Sequence, residues 1–326
     1  MADSVLSFVI PVRNDAVRLR RCLASIRNDA SGIAAEIIVA DNGSSDDSAE
    51  AAREFGATVI SLPNRRVSEV RNTAVLSTST DILAFVDADH TLADGWTRAA
   101  MAALTDPAVS AVGADYHAPP DGTWVQKMYD NLRARAPQPR QTDWLPSGNL
   151  VVRRAAFNRA RGFDATLESC EDVDLSRRLR EDGGTLIATD ALRSVHHGDP
   201  RTLRALFLAE LWRGRDNLRV SLRERLTPRS AVGLAMTLAH LAALAAMVLG
   251  LVLLPVGGGR LALVGGAVAL LVIAARTVRL LTRIPASERS LRHLPQAVLV
   301  AATYDTARAL ALVARVGHDV RRKAGR

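Results

Sequence analysis

The residues best placed to do chemistry lie in "ILAFVDADHT", Ile82 to Thr91, where an apolar run closes on two carboxylates one residue apart. Side chains on a strand alternate between faces, so Asp87 and Asp89 would project the same way from its tip. Like charges that close repel unless something cationic sits between them. A divalent metal carrying a phosphorylated ligand meets that need. Two hydrogen-bonded turn residues would also do, since Asp is common where strands end. Asp41, in "VADNGSSD", offers a further carboxylate, able to accept from a base N–H or a ribose hydroxyl, or to close an Asx turn with Gly43. "RSVHHGD" brings two imidazoles, His196 and His197; neighbours in an extended segment face opposite ways, so one of them should point inward.

These groups need a frame. "VLSFVIPV" reads as a buried strand, "EIIVA" and "ATVISLP" as two more, and "DILAFV" as a fourth. Helical stretches separate them: "DAVRLRRCLASIRND" with Asp15 as N-cap, "SAEAAREFG" ending at Gly56, and "RRVSEVRNTAVLST". Strands alternating with helices of this length predict an α/β domain with a largely parallel sheet. Ligands of such sheets collect at the carboxyl ends of the strands. Asp41 and the Asp87/Asp89 pair both fall there, so they are expected to converge on one ligand.

The ordered set "FVIPVRND", "EIIVADNGSSDDS", "VRNTAV", "ILAFVDADH", "SGNLVVRRAAFNRARGFDATLESCEDVDLSRRLREDGG" and "VHHGD" resembles the family 2 glycosyltransferases, inverting enzymes of the GT-A fold, over roughly residues 4–215. The resemblance implies a Rossmann-like nucleotide-diphospho-sugar transferase domain. It also implies a nucleoside-diphosphate donor, UDP-linked by preference. Asp41 would meet the donor's nucleobase, while Pro11, Arg13 and Asp15 line the same pocket and Arg71 meets ribose or diphosphate. Asp89 would ligate the metal, with Asp87 reaching the ribose or the metal through water. Hard oxygen ligands and phosphates suit Mg²⁺ or Mn²⁺, and an imidazole tilts the choice slightly toward Mn²⁺. His196, preferred to His197 because it follows the hydrophobic pair typical of the family, would complete the shell. Asp172 matches the second residue of the family's ED motif and would take the proton of the acceptor hydroxyl. At the start of a helix it is expected to have a lowered pKa, although Glu171, Asp172 and Asp174 also read as ordinary first-turn acids. Trp144, Ser147, Gly148 and Asn149, with Glu171, are implied to lie near the acceptor and donor sugar. The family's QxxRW motif is not matched: "LAELWRGRDN" reverses Trp212 and Arg213 and lacks the Gln, which argues against a processive synthase. Arg213 and Arg215 remain candidates for phosphate contact.

Charge divides the chain. Residues 1–200 hold 22 Lys+Arg against 28 Asp+Glu, whereas residues 201–326 hold 20 against 6. A basic tail of that kind could bind nucleic acid or an anionic membrane. What lies between its arginines favours the membrane: Ser230 to Gly259 carries no charge over 30 positions, and roughly 20 suffice to cross a bilayer. A second run, "LALVGGAVALLVIAA", follows the turn "PVGGGR". We therefore expect a GT-A domain over 1–200 and an amphipathic interfacial linker over 201–229. A two-helix transmembrane hairpin over 230–283 follows, then an interfacial amphipathic helix with a basic tail over 284–326. The stripe of Asp305, Arg308, Arg315, Asp319 and Arg322 carries the last expectation. Arginine-rich flanks place both ends of the hairpin, and the catalytic domain, on the cytoplasmic side of the cell (inner) membrane. Two cysteines are too few for a disulfide framework.

The expected activity is transfer of a sugar to a hydroxyl of a lipid-linked or glycan acceptor, a polyprenyl phosphate among the candidates, with no nucleic-acid partner. Two other readings compete. "DADHT" also fits the DxDx[TV] of haloacid-dehalogenase-like phosphatases, which require a downstream lysine; Lys127 and Lys323 are the only lysines present. A non-catalytic membrane scaffold would have no need for the intact set Asp41, Asp87, Asp89 and Asp172.

Overall fold

The computed structural model describes residues 5–133, 139–223 and 228–314. They form two compact units, the first drawn from residues 1–119 and 135–198, the second from 120–134 and 199–326. The chain thus passes between the units before the division near residue 200: residues 120–134, expected in the first domain, belong with the C-terminal helices.

In the first unit the strands are β1 (Leu6–Val12), β2 (Ala35–Asp41), β3 (Thr58–Ser61), β4 (Ile82–Val86), β5 (His90–Leu92), β6 (Val109–Gly113), β7 (Tyr116–His117), β8 (Arg140–Gln141), β9 (Asn149–Arg153), β10 (Thr185–Ala188) and β11 (Ser194–His196). Its helices are α1 (Ala16–Asp29), α2 (Ser48–Glu54), α3 (Val67–Val75), α4 (Trp96–Ala103), then α6 (Arg154–Arg159) and α7 (Glu171–Glu181); α5 (Trp124–Arg133) belongs to the second unit. The described strands make an eight-stranded sheet in the order β3-β2-β1-β4-β9-β6-β10-β8 and a three-stranded sheet β5-β11-β7.

Alternation along β1 shows how the large sheet is filled. Phe8 and Ile10 pack on one face with Leu19, Leu23 and Ile26 of α1, while Val9 packs on the other with Val70 and Ala74 of α3. Both faces are covered, which is why these strands read as unbroken apolar runs. The sheet is largely parallel with two reversed strands: β3, β2, β1 and β4 are parallel neighbours, as are β6 and β10, while β9 enters between β4 and β6 antiparallel to both and β8 pairs antiparallel with β10. A strand buried on two faces has the same sequence pattern whichever way it runs, so direction was not legible there.

The second unit contains α5, α8 (Leu203–Arg213), α9 (Asn217–Ser221), α10 (Pro228–Val252), α11 (Gly259–Arg283) and α12 (His293–Leu310). Two spans, Ala231–Val252 and Gly259–Arg283, are long and apolar enough to cross a membrane. They lie against each other closely: a Cβ at Gly250 would overlap the Ala262 backbone, and one at Gly265 would overlap that of Met247. Their outer side chains, among them Val248, Leu251, Val264 and Leu271, are exposed.

Two expectations change here. α8, expected along a membrane surface, uses its apolar side for packing: Leu206 joins Val300 and Ala301 of α12, and Leu211 joins Ala307. The polar stripe of α12 turns inward as well. Asp305 pairs with Arg276 at 2.6 Å and Arg308 with the buried Glu210 at 2.6 Å, because each charge has a partner on a neighbouring helix. Arg315, Asp319 and Arg322 lie outside the described residues. α5 completes this unit, burying Val125, Met128 and Tyr129 with Leu280 and Ala297, while Arg283 donates to the carbonyl oxygens of Asn131 and Leu132 at its C-terminal end.

Candidate functional site

β4 ends at Val86, and Asp87 to Asp89 form a turn before β5 begins. The two carboxylates are therefore set apart by the turn and find different partners. Asp87 Oδ1 accepts from Arg71 Nη2 at 2.6 Å, and Asp89 Oδ2 lies 3.2 Å from His196 Nε2. Gly148 closes over the first: its carbonyl accepts from Asp87 N–H at 3.2 Å, and a Cβ there would come within 2.6 Å of Asp87 Oδ2. Gly198 closes over the second, where a Cβ would overlap Asp89 Oδ2. A Cβ at either position would displace the carboxylate it faces.

Arg71 is the residue that joins the two ends of the site. It falls on the buried side of α3 with Val70, Ala74 and Val75, and is 2% exposed. One arm of its guanidinium reaches Asp87; the other donates to Glu171 Oε1 at 2.9 Å. Burial would weaken its charge, but Asp87 and Glu171 outweigh burial and raise its pKa. It cross-links the turn after β4 to the start of α7. Its place in an apolar stripe with three- and four-residue spacing was the available signal.

Glu171, the first residue of α7, also accepts from Ser147 Oγ at 3.2 Å. Asp172 follows it and accepts from the Val173 N–H at 2.8 Å. The expected lowered pKa is not found. Burial, followed by the negative charge of Glu171, raises the Asp172 carboxyl to about 7, against the pull of the Val173 N–H and of Arg71. Asp172 keeps some exposure, which tempers this rise without reversing it. The helix end is outweighed here because its effect is worth about 1 kcal/mol, less than desolvation beside a like charge. Asp89 goes the other way. Burial alone would raise it, but His196, then His90 and Arg18, hold it well below the usual carboxylate range.

The other expected residues divide between the cleft and the scaffold. Asp41 ends β2, 6% exposed, and accepts from Ser44 N–H at 3.1 Å, so the turn reading holds with Ser44 as the donor. Pro11 lies in β1 and Arg13 just beyond it, both part-exposed. Asp15 occupies the N-cap position of α1 without capping it; its carboxylate takes Arg18 at 2.8 Å instead. Asn149, expected beside the sugars, is a scaffold residue: wholly buried, it accepts from Trp96 Nε1 at 2.9 Å and donates to the carbonyls of Ala114 and Leu192. Trp144 is part-exposed in the same loop. His197 turns away from Asp89 and places Nε2 2.8 Å from Thr91 Oγ1. In the second unit Arg213 is committed to Glu210 at 3.0 Å and Tyr129 at 2.7 Å, and the Arg215 guanidinium lies 5.8 Å from the Trp212 ring. Two side chains went unnoticed in the sequence. His90 lies beside Asp89 and His196, within a group of three whose ligand atoms are no more than 4.8 Å apart. Arg18, besides holding Asp15, reaches the His197 carbonyl at 3.4 Å.

A mixed sheet with acids gathered where β4 and β9 meet, beside a small second sheet carrying histidines, defines a GT-A domain. The solved mannosyltransferase of Pyrobaculum calidifontis, in complex with GDP-Man and Mn²⁺, has the same fold: TM-score 0.60 over 95% of this chain and 87% of that one, at 17% identity. Residues 7–165 match the profile described as Glycosyl transferase family 2, so the chain carries a domain of that family. Lys127 stands in α5, part of the second unit and not of the unit that holds the Asp87–Asp89 turn. The pre-mycofactocin glycosyltransferase of Mycobacterium tuberculosis is 34% identical over 196 residues, 56% of this chain and 40% of that protein. The succinoglycan biosynthesis protein ExoA of Rhizobium meliloti is 27% identical over 267 residues, 76% of this chain and 80% of that protein. The match thus spans less than half the length of the mycobacterial relative.

Proposed function

We propose that this protein is an inverting, metal-dependent glycosyltransferase. It moves a sugar from a nucleoside-diphosphate donor, UDP-linked by preference, to a hydroxyl of a lipid-linked or glycan acceptor at the cytoplasmic face of a membrane. One observation carries the reading: Arg71 grips Asp87 and Glu171 with its two arms. The metal-side turn and the helix that starts with Glu171 and Asp172 therefore border one cleft.

The roles follow from the chemistry of each group. Asp41, with Pro11, Arg13 and Asp15, lines the nucleotide end. Asp89 and His196 would hold Mn²⁺ or Mg²⁺, which supplies positive charge to the departing diphosphate. Their fit rests on an oxygen and a nitrogen 3.2 Å apart and on Gly198, whose missing Cβ leaves room for both. Asp172 takes the acceptor's proton, and a pKa about 7 suits a base working near neutrality. The two exposed apolar helices of the second unit support a membrane-held protein and a lipid-linked acceptor.

The test is an assay of the purified full chain with UDP-, GDP- and dTDP-sugars, after chelation and after restoring Mn²⁺ or Mg²⁺. Turnover is expected with one nucleotide class, metal-dependent, and lost in Asp89→Ala. Turnover that is undiminished in Asp89→Ala would remove the metal from the reaction. A C-terminal tag found on the periplasmic side would refute the two-span topology.

A further inference from the structure

β5 and β11 are antiparallel, and their register sets His90 directly opposite His196. Residues paired this way project from one face of the sheet, and the two ring centroids are 4.8 Å apart. Asp89 is the residue immediately before β5. It brings a carboxylate oxygen to 3.2 Å from His196 Nε2, and the ligand atoms of Asp89, His90 and His196 all lie within 4.8 Å of one another. Neighbouring ligands held about 2.1 Å from a metal stand about 3 Å apart, and opposite ones about 4 Å. The three ligand atoms are thus within about 1 Å of the spacing a bound cation requires.

The surroundings of His90 favour that use. It is 1% exposed, and Ser194 Oγ sits 2.9 Å from its Nδ1. In the tautomer that donates Nδ1–H to Ser194, Nε2 is the nitrogen able to ligate a metal, as in metal-binding histidines whose second nitrogen is pinned by a neighbour. Tyr116 packs edge-on against both imidazoles, 5.1 Å from His90 and 4.8 Å from His196, and holds their planes.

We infer that His90 is a third metal ligand, so that the cation sits on two imidazoles and one carboxylate, and that this donor set selects Mn²⁺ or a similar transition metal over Mg²⁺. The inference rests on the proposed cation at Asp89 and His196. Mg²⁺ favours oxygen donors in a near-ideal octahedron, whereas imidazole suits transition metals. Two histidines and a carboxylate also leave open positions on the metal, which the donor's phosphate oxygens can fill.

Pulsed electron paramagnetic resonance of the full chain with Mn²⁺ alone counts the coordinated imidazoles directly. Two nitrogen couplings are expected in the wild type and one in His90→Gln. Competition should show the preference for Mn²⁺ over Mg²⁺ falling about tenfold or more in His90→Gln, and Mn²⁺ affinity falling about tenfold in Ser194→Ala. One coupling in the wild type, or an unchanged preference in His90→Gln, would overturn the inference and leave the metal at Asp89 and His196 standing. Absence of Mn²⁺ binding by the wild type would overturn both. Because the wild-type count needs no substitution, a His90 variant that fails to fold does not spoil the test.

Discussion

Glu210 and Asp172 are acids enclosed by protein beside arginine, one in each unit. Around Glu210, burial is outweighed by Arg308 and Arg213, with the Tyr129 hydroxyl 2.5 Å away, and the carboxyl is held at about 2. Around Asp172, burial and Glu171 prevail, and the carboxyl rises to about 7. The difference is one of supply. Glu210 has two guanidiniums and a hydroxyl against it, so its charge is satisfied and its role is to bind α8, α12 and α5 together. In the first unit one guanidinium, Arg71, is divided between Asp87 and Glu171, and Asp172 receives only its remote pull. An acid left short of cations is suited to proton transfer, whereas a saturated one is suited to architecture.

The comparison can be broken most decisively at Asp172. Asp172→Asn removes the base and is expected to lower transfer by about 10²–10⁴-fold, the usual worth of acid–base catalysis, with nucleotide binding retained in calorimetry. An active Asp172→Asn protein would place the base elsewhere. Next comes Glu210→Gln. Breaking a buried pair costs about 3–5 kcal/mol, so thermal unfolding should move sharply downward while nucleotide binding by the folded fraction is unchanged.

A smaller and reversible effect separates the two acids by pH. A base must be ionised, and Asp172 is protonated below about 7, so transfer should fall as pH drops through 7, about tenfold per unit in the limit. Glu210 has a folded pKa below its ordinary 4.5. Its stabilisation is present above that value and lost as pH falls from about 4.5 toward 2. Unfolding followed across that range should weaken in the wild type more than in Glu210→Gln. The smallest expected effect marks the baseline: Arg159 and Asp182 pair at 2.7 Å on an open surface, and Arg159→Ala should change stability by about 0.5 kcal/mol or less.

Where chemistry followed from chain-local pattern, the sequence was readable. Asp41 at the end of β2, the start of α7 at Glu171 and the two apolar helices stand where spacing and charge placed them, whereas Asp87 and Asp89 lie in a turn and not on one strand face. What escaped depends on partners distant in sequence. Asn149 looked like a loop residue until Trp96 and two carbonyls claimed it. The stripe on α12 looked solvated because Arg276 and Glu210, its partners, lie on other helices. His90 is adjacent to Asp89, yet its tie to His196 comes only from pairing across two strands more than a hundred residues apart. The pKa of Asp172 was misjudged for the same reason: the helix end is local, the enclosing protein is not.

The placement of α5 has a practical side. Anyone seeking a soluble fragment would cut the chain after Gly198, where the last strand of the small sheet has just finished. Such a fragment keeps α5 and discards the helices covering Val125, Met128 and Tyr129, leaving a greasy stripe in water and an invitation to clump. Trimming would succeed only with those three positions repainted polar, or with the stretch from 120 to 134 excised and bridged.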